Sequence, residues 1–167
     1  MTDHRSPGSA PKRIRSADRV KTYLAEHGLA EEIVTFEQST KTAQMAADAM
    51  GCELGQIVKS LVFVAGGTPV LALVAGDRRG DTSAIAELAG ATEARFADAD
   101  TVRAATGFAI GGVSPFDLPP GLMLLADDSL GRYDIVYPAA GTPSSMVRIR
   151  LAYLLELTGA RVARISQ

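Results

Sequence analysis

The sequence predicts a mixed α/β domain, a curved and partly closed mixed sheet with helices around its periphery. Two adjacent apolar runs, Ile57-Val58-Lys59-Ser60-Leu61-Val62-Phe63-Val64 and Val70-Leu71-Ala72-Leu73-Val74-Ala75, flank Ala65-Gly66-Gly67-Thr68-Pro69. That pattern reads as a hairpin of two largely buried strands, and strands so apolar imply a central sheet. Capped helical segments alternate irregularly with shorter strand candidates and no internal repeat is visible, which argues against a doubly wound parallel sheet.

In chain order, residues 1–15 read as a flexible tail, rich in Ser, Pro, Gly and basic residues and outside the core. Ser16 offers an N-cap for a helix with apolar positions Val20, Tyr23 and Leu24, stopped by Gly28. Residues 33–36 form a short strand candidate; Thr42 caps an alanine-rich helix that runs to Met50 and ends at Gly51. After the hairpin, Asp81 caps a helix ending at Gly90, a strand follows at 93–96, and Asp98 or Asp100 caps a helix before Gly107. Strands are expected at 122–126, 133–137 and 146–149, then a helix over 151–157 and a last strand at 161–165.

At 167 residues and 47% hydrophobic content the chain suits one domain, 16–167, with a substantial core. Its longest apolar runs fall short of the roughly 18 residues that span a bilayer, and its polar start lacks the apolar core of a secretion signal. Cys52 is the lone cysteine and His4 and His27 the only histidines. Disulfides, cysteine-based metal clusters and catalytic triads therefore have almost no raw material, and a reducing cytoplasm fits. Residues 1–21 carry a net +4 against −6 for the remainder, a basic arm before an acidic body. The arm could reach a nucleic-acid backbone. Neither a membrane nor DNA is indicated.

Two segments carry chemical interest. Lys59 shares its strand face with Ile57, Leu61 and Phe63, where an ammonium invites an anionic partner. The strand alone leaves open a lysine that discourages edge pairing or one that snorkels its stem along apolar surface. The second segment, Gly107-Phe108-Ala109-Ile110-Gly111-Gly112-Val113-Ser114-Pro115-Phe116, suits a loop presenting backbone donors. N–H groups at Gly112, Val113 or Ser114 could polarise a carbonyl or hold an amino-acid head group. An ordinary tight loop is the competing reading. Neither this segment nor Gly66-Gly67 has a phosphate-loop or dinucleotide signature, so nucleotide hydrolysis is not expected.

Taken together, Thr42-Ala43-Gln44-Met45-Ala46-Ala47 leading to Gly51, Gln56 through Phe63 around Lys59, and Gly111-Gly112-Val113-Ser114-Pro115 resemble the YbaK/ProX family of aminoacyl-tRNA editing domains, related to the insertion domain of prolyl-tRNA synthetases. The later Ala139-Ala140-Gly141-Thr142-Pro143 resembles that family's ending, so the likeness spans residues 20–165. It implies a mixed-sheet hydrolase that deacylates mischarged tRNA in trans, most often tRNA for proline carrying a small wrong amino acid such as alanine, with no cofactor and no metal. The partners implied are the 3′ aminoacyl-adenosine end of tRNA and a possible synthetase.

By that resemblance Lys59 is the functional lysine and Gly111 and Gly112 are its catalytic companions. Val113, Ser114, Pro115, Phe63, Gly141, Ser144 and Ser145 would bind substrate, the Gly141 segment lining the amino-acid pocket. An activated ester with a neighbouring ribose hydroxyl needs little beyond positioning and electrostatic stabilisation, so the missing triad is no objection. Two alternatives stay open: a non-catalytic tRNA- or synthetase-binding module of the same fold, and an enzyme using Lys59 as a Schiff-base amine.

Overall fold

The computed structural model describes residues 16–37, 40 and 42–167; the basic tail expected at 1–15 lies outside them. Helix α1 (Ser16–Glu26) leads to β1 (Ile33–Thr35), α2 (Ala43–Met50), and the hairpin β2 (Ile57–Ala65) and β3 (Thr68–Ala75). Helix α3 (Thr82–Leu88), β4 (Ala94–Phe96), α4 (Ala99–Thr106), β5 (Met123–Asp127) and β6 (Ile135–Pro138) follow. The chain continues through β7 (Ser145–Val147), β8 (Ile149–Arg150), α5 (Leu151–Thr158) and β9 (Arg161–Ala163). The main sheet runs β8-β6-β2-β3-β5-β9 with β4 beside β2, mixes parallel and antiparallel pairs, and curls into a half-barrel. Strands β1 and β7 form a separate antiparallel pair.

The hairpin turns on Gly66 and Gly67 at φ +56° and +82°, the two consecutive positive values that a type I′ turn requires. β3 lies between β2 and β5, and Val70 through Ala75 are wholly buried, which is why this run shows no polar alternation. Alternate residues of the hairpin divide two cores. Val58, Val62, Leu71 and Leu73 join Val20, Leu24, Phe108, Phe116 and Leu154 on the face covered by α1 and α5. Phe63, Ala65, Val70, Ala72 and Val74 join Ile85, Leu125 and Ile165 on the face covered by α3. Three of the expected caps form: Thr42 Oγ1 accepts from Met45 N at 3.1 Å, Asp81 from Ser83 N and Ala84 N, and Asp98, rather than Asp100, from Thr101 N at 2.8 Å, whereas Ser16 is the first residue of α1 itself, not its cap.

Four strands differ from the sequence expectation. β3 starts two residues early, at Thr68, because Thr68 and Pro69 pair with Ala65 and Val64. The single strand expected at 146–149 is two, because β7 pairs with β1 whereas β8 pairs with β6; at the switch, Arg148 N donates to Glu32 O at 3.0 Å. β6 starts at Ile135 because Tyr133 N closes a 3₁₀ turn on Leu130 O. β9 stops at Ala163 because Ile165 N donates to the Asp127 carboxylate at 2.8 Å instead of entering a ladder.

Asp127 ties the end of the chain to β5. It is 1% exposed and accepts from Ile165 N, Ser166 Oγ, Ser129 N and Ser129 Oγ. Burial pushes its pKa up, but the hydrogen bonds from Ser129, Ile165 and Ser166 outweigh it and hold the carboxyl below the ordinary aspartate value. A depressed folded pKa gives stability that is full above the unfolded value, about 3.9, and is lost as pH falls through the folded one. We expect Asp127→Asn to cost about 3 kcal/mol at pH 7 in urea melts. The gap between variant and wild type should close as pH falls below about 3.9.

Candidate active site

One edge of β2 is paired with β3 without interruption, Val58 opposite Ala75 through Ala65 opposite Thr68. The other edge is paired only at its ends, by β6 at Ile57 and Val58 and by β4 at Phe63, Val64 and Ala65. Among the described residues, 59–62 between them have no strand partner on that side; Val62 O is met by Ala97 N at 3.0 Å. Beside this gap lies a cavity of about 520 Å³, a volume suited to a small ligand. Its walls are residues 57–62 of β2, Thr42, Ala43 and Ala46 of α2, Phe96 and Ala97 after β4, Val102 of α4, Ile110, Gly111 and Val113, and Ala139, Thr142, Pro143, Ser145 and Met146.

Lys59 is half-buried at the cavity wall and donates from Nζ to Arg78 O. Burial lowers its pKa; Asp77 acts to raise it and Arg79 to lower it. The carbonyl that holds it belongs to the turn after β3, which is braced twice. Arg78 N donates to Ala75 O at 3.0 Å, and Arg132 grips Asp77 with two parallel bonds of 2.8 and 2.7 Å while its guanidinium lies 5.1 Å from the Tyr133 ring centre. That grip holds the Asp77 carboxyl below the usual aspartate range. Ser60, one residue on, faces the opposite way, and its Oγ is shielded from solvent with no hydrogen-bond partner among the described residues. An unpaired hydroxyl at the wall of an apolar cavity is a free donor and acceptor for whatever enters.

The glycine-rich loop is held at both ends by buried rings, Phe108 and Phe116, and by Arg19 of α1. Arg19 bonds Thr106 O and Asp117 O, pairs with the Asp117 carboxylate at 2.9 Å and lies 4.6 Å from the Phe108 ring centre. Ser114 Oγ donates to Ala139 O at 2.8 Å and thereby joins this loop to the 139–145 segment. Gly112 N is occupied, donating to Ala109 O at 2.9 Å. Among the described residues, Val113 N and Ser114 N have no backbone or side-chain acceptor.

Of the residues singled out in the sequence, Lys59, Gly111, Val113 and Ser145 line the cavity together. Gly112 sits behind the wall near the Pro143 ring. Ser114 and Pro115 are buried, Ser114 acting as the strut just described. Phe63 is wholly buried in the α3-side core, on the far side of Phe96 from the cavity. Gly141 packs against α1: its φ is +100°, and a Cβ would stand 2.9 Å from Ser16 O, so Thr142 and Pro143 face the cavity in its place. Ser144 lies off the cavity, its carbonyl accepting from Phe36 N at 2.7 Å; Ser145 Oγ is 2.7 Å from Thr142 Oγ1. Sequence reasoning missed Ser60, Phe96, Ile110 and the Arg132–Asp77 brace. Ser60 had a signal, its place beside Lys59 in a period-two strand; the others come together only through long-range contacts.

A polar strand edge, a lysine and a spare backbone amide thus border one small, largely apolar cavity. Residues 37–157 match the aminoacyl-tRNA editing domain family, and the chain belongs to it. By class it is an editing hydrolase that acts on the ester joining an amino acid to tRNA. It is 32% identical over 148 residues to the uncharacterized YwhH of Bacillus subtilis (strain 168), spanning 88% of this chain and 94% of that one. It is 31% identical over 144 residues to the multifunctional Ser/Thr-tRNA deacylase ProXp-y of Escherichia coli (strain K12), spanning 83% and 86%. A crystal structure described as a candidate trans-editing enzyme for prolyl tRNA synthetase matches with TM-score 0.83 at 42% identity, over 91% of this chain and 97% of that one. Among the described residues no helix is long and apolar enough to cross a membrane, and no cluster of three or more His, Cys, Asp or Glu could hold a metal ion.

The electrostatic setting of Lys59 is directly measurable, since the chain has only four lysines. Asp77→Asn is expected to lower the Lys59 pKa further, by removing the anion that raises it, and Arg79→Met to raise it. The ¹³Cε chemical-shift titration of lysine-labelled protein checks both directions.

Proposed function

We propose that this protein deacylates, in trans, tRNA mischarged with a small amino acid, with alanine on tRNA for proline as the first substrate to test. The observation that carries the reading is the convergence of Lys59, the unpaired β2 edge and the glycine-rich loop on one small apolar cavity. Such a cavity excludes the tRNA body and takes only its aminoacylated tip. The site is poor in side-chain acids, bases and nucleophiles, which suits an ester already activated for hydrolysis.

In this mechanism Lys59 anchors the tip through the terminal phosphate or the aminoacyl carbonyl. The loop at 111–115 presents Val113 N to the carbonyl, and the Ser60 hydroxyl takes the α-amino group or a polar side chain. Water adds to the ester carbonyl, the bond from carbonyl carbon to ribose oxygen breaks, and the ribose oxygen leaves as a hydroxyl with a proton from the attacking water. A backbone donor aligned on the developing oxyanion contributes about 3 kcal/mol to such a step. The sieve is steric: a synthetase pocket separates residues differing by one methylene by about 1–3 kcal/mol, and a second cavity walled by Ala43, Ala46, Val113 and Pro143 admits small residues only. Prolyl-tRNA synthetase is the partner this function implies, and the cytoplasm its compartment.

Lys59→Ala should lower the deacylation rate of the preferred mischarged tRNA at least 100-fold, with the melting temperature within about 2 °C of wild type. A panel of proline- and alanine-type tRNAs charged with alanine, serine, threonine, cysteine or 2-aminobutyrate provides the assay. A fully active Lys59→Ala protein refutes the mechanism, and tRNA binding without release of any amino acid identifies a non-catalytic module instead. Borohydride trapping of a carbonyl compound on Lys59 would identify Schiff-base chemistry.

A further inference from the structure

Two of the most exposed large apolar side chains among the described residues, Phe96 at 60% and Ile110 at 61%, line the cavity. They come from separate parts of the chain, Phe96 from the end of β4 and Ile110 from the loop after α4. Neither is spent on the core: Ala97 and Phe108, close by in sequence, are buried. Phe96 is nevertheless held in place. It stands opposite Phe63 in the β2–β4 register, with ring centres 4.5 Å apart and planes tilted by 35°, and Phe63 is wholly buried. The outcome is an exposed ring on a rigid backing at the cavity's edge.

We infer that Phe96, with Ile110, forms a stacking site for the terminal adenine of tRNA. This rests on the editing reading. The amino acid is esterified to the same ribose that carries this base, so seating the ester in the cavity brings the adenine to its edge. A planar, weakly hydrated base is the ligand that an exposed aromatic face with an aliphatic neighbour accepts best. Because every tRNA ends in adenosine, the contact contributes affinity without tRNA identity, and it acts on ground state and transition state alike. Phe96 is thus a substrate-positioning residue.

The chain contains no tryptophan, so Phe96→Trp introduces a single indole reporter. Its fluorescence should be quenched saturably by the trinucleotide CCA and by adenosine monophosphate, and much less by CCC. In deacylation assays Phe96→Ala should raise KM for mischarged tRNA about tenfold with kcat within twofold, and Phe96→Tyr should restore wild-type KM. Equal quenching by CCA and CCC, or an unchanged KM in a Phe96→Ala protein that still deacylates, overturns the stacking site and leaves the editing function standing. Selective quenching by CCA in a protein that deacylates nothing supports the stacking site and refutes the editing function.

Discussion

The two edges of β2 have unequal partners, and the architecture of the site follows from that inequality. On one side β3 pairs with all of it from Val58 onward. On the other, β6 and β4 take only the two ends. A strand paired along both edges would leave no room at its centre, and one free along a whole edge would invite unwanted strand addition. The interrupted edge avoids both. Its short gap is walled by α2, the glycine-rich loop and the 139–146 segment, so polar backbone faces a small, partly open cavity.

Rigidity around that gap comes from side chains far away in sequence. Arg19 clamps both ends of the glycine-rich loop from α1, Ser114 fastens the loop to Ala139, and Arg132 fixes the turn whose carbonyl receives Lys59. One of these contacts involves a residue that the family resemblance would assign to substrate binding. That residue is Ser114: it is wholly buried off the cavity, and its hydroxyl is committed to Ala139 O as a strut. In the proposed mechanism the site holds a reactive ester in place, and its precision would rest on braces of this sort.

Much of the fold was readable because its signals are local. The type I′ hairpin is written in Gly66-Gly67, and the helix starts in Thr42, Asp81 and Asp98, each satisfying donors within three residues. Strand limits failed where a long-range partner claimed a backbone group, as Asp127 claims Ile165 N and Glu32 O claims Arg148 N. In the site, Lys59 was conspicuous as a cation within an apolar run. Phe96 was not, because nothing in its neighbours shows that a residue pairing with Phe63 would be left facing a cavity.

Composition and local pattern alone therefore determined the mixed α/β class, the central hairpin, the helix caps, the scarcity of histidine and cysteine, and the pairing of a lysine strand with a glycine-rich loop. Those are properties of residue type and short spacing. Only the tertiary structure decided that Gly141 supports α1 while Thr142 and Pro143 face the cavity, that Phe63 is core, and that Ser60 and Phe96 stand at the cavity wall. Those outcomes depend on which sheet edge stays unpaired, and strand pairing is settled by contacts between segments tens of residues apart.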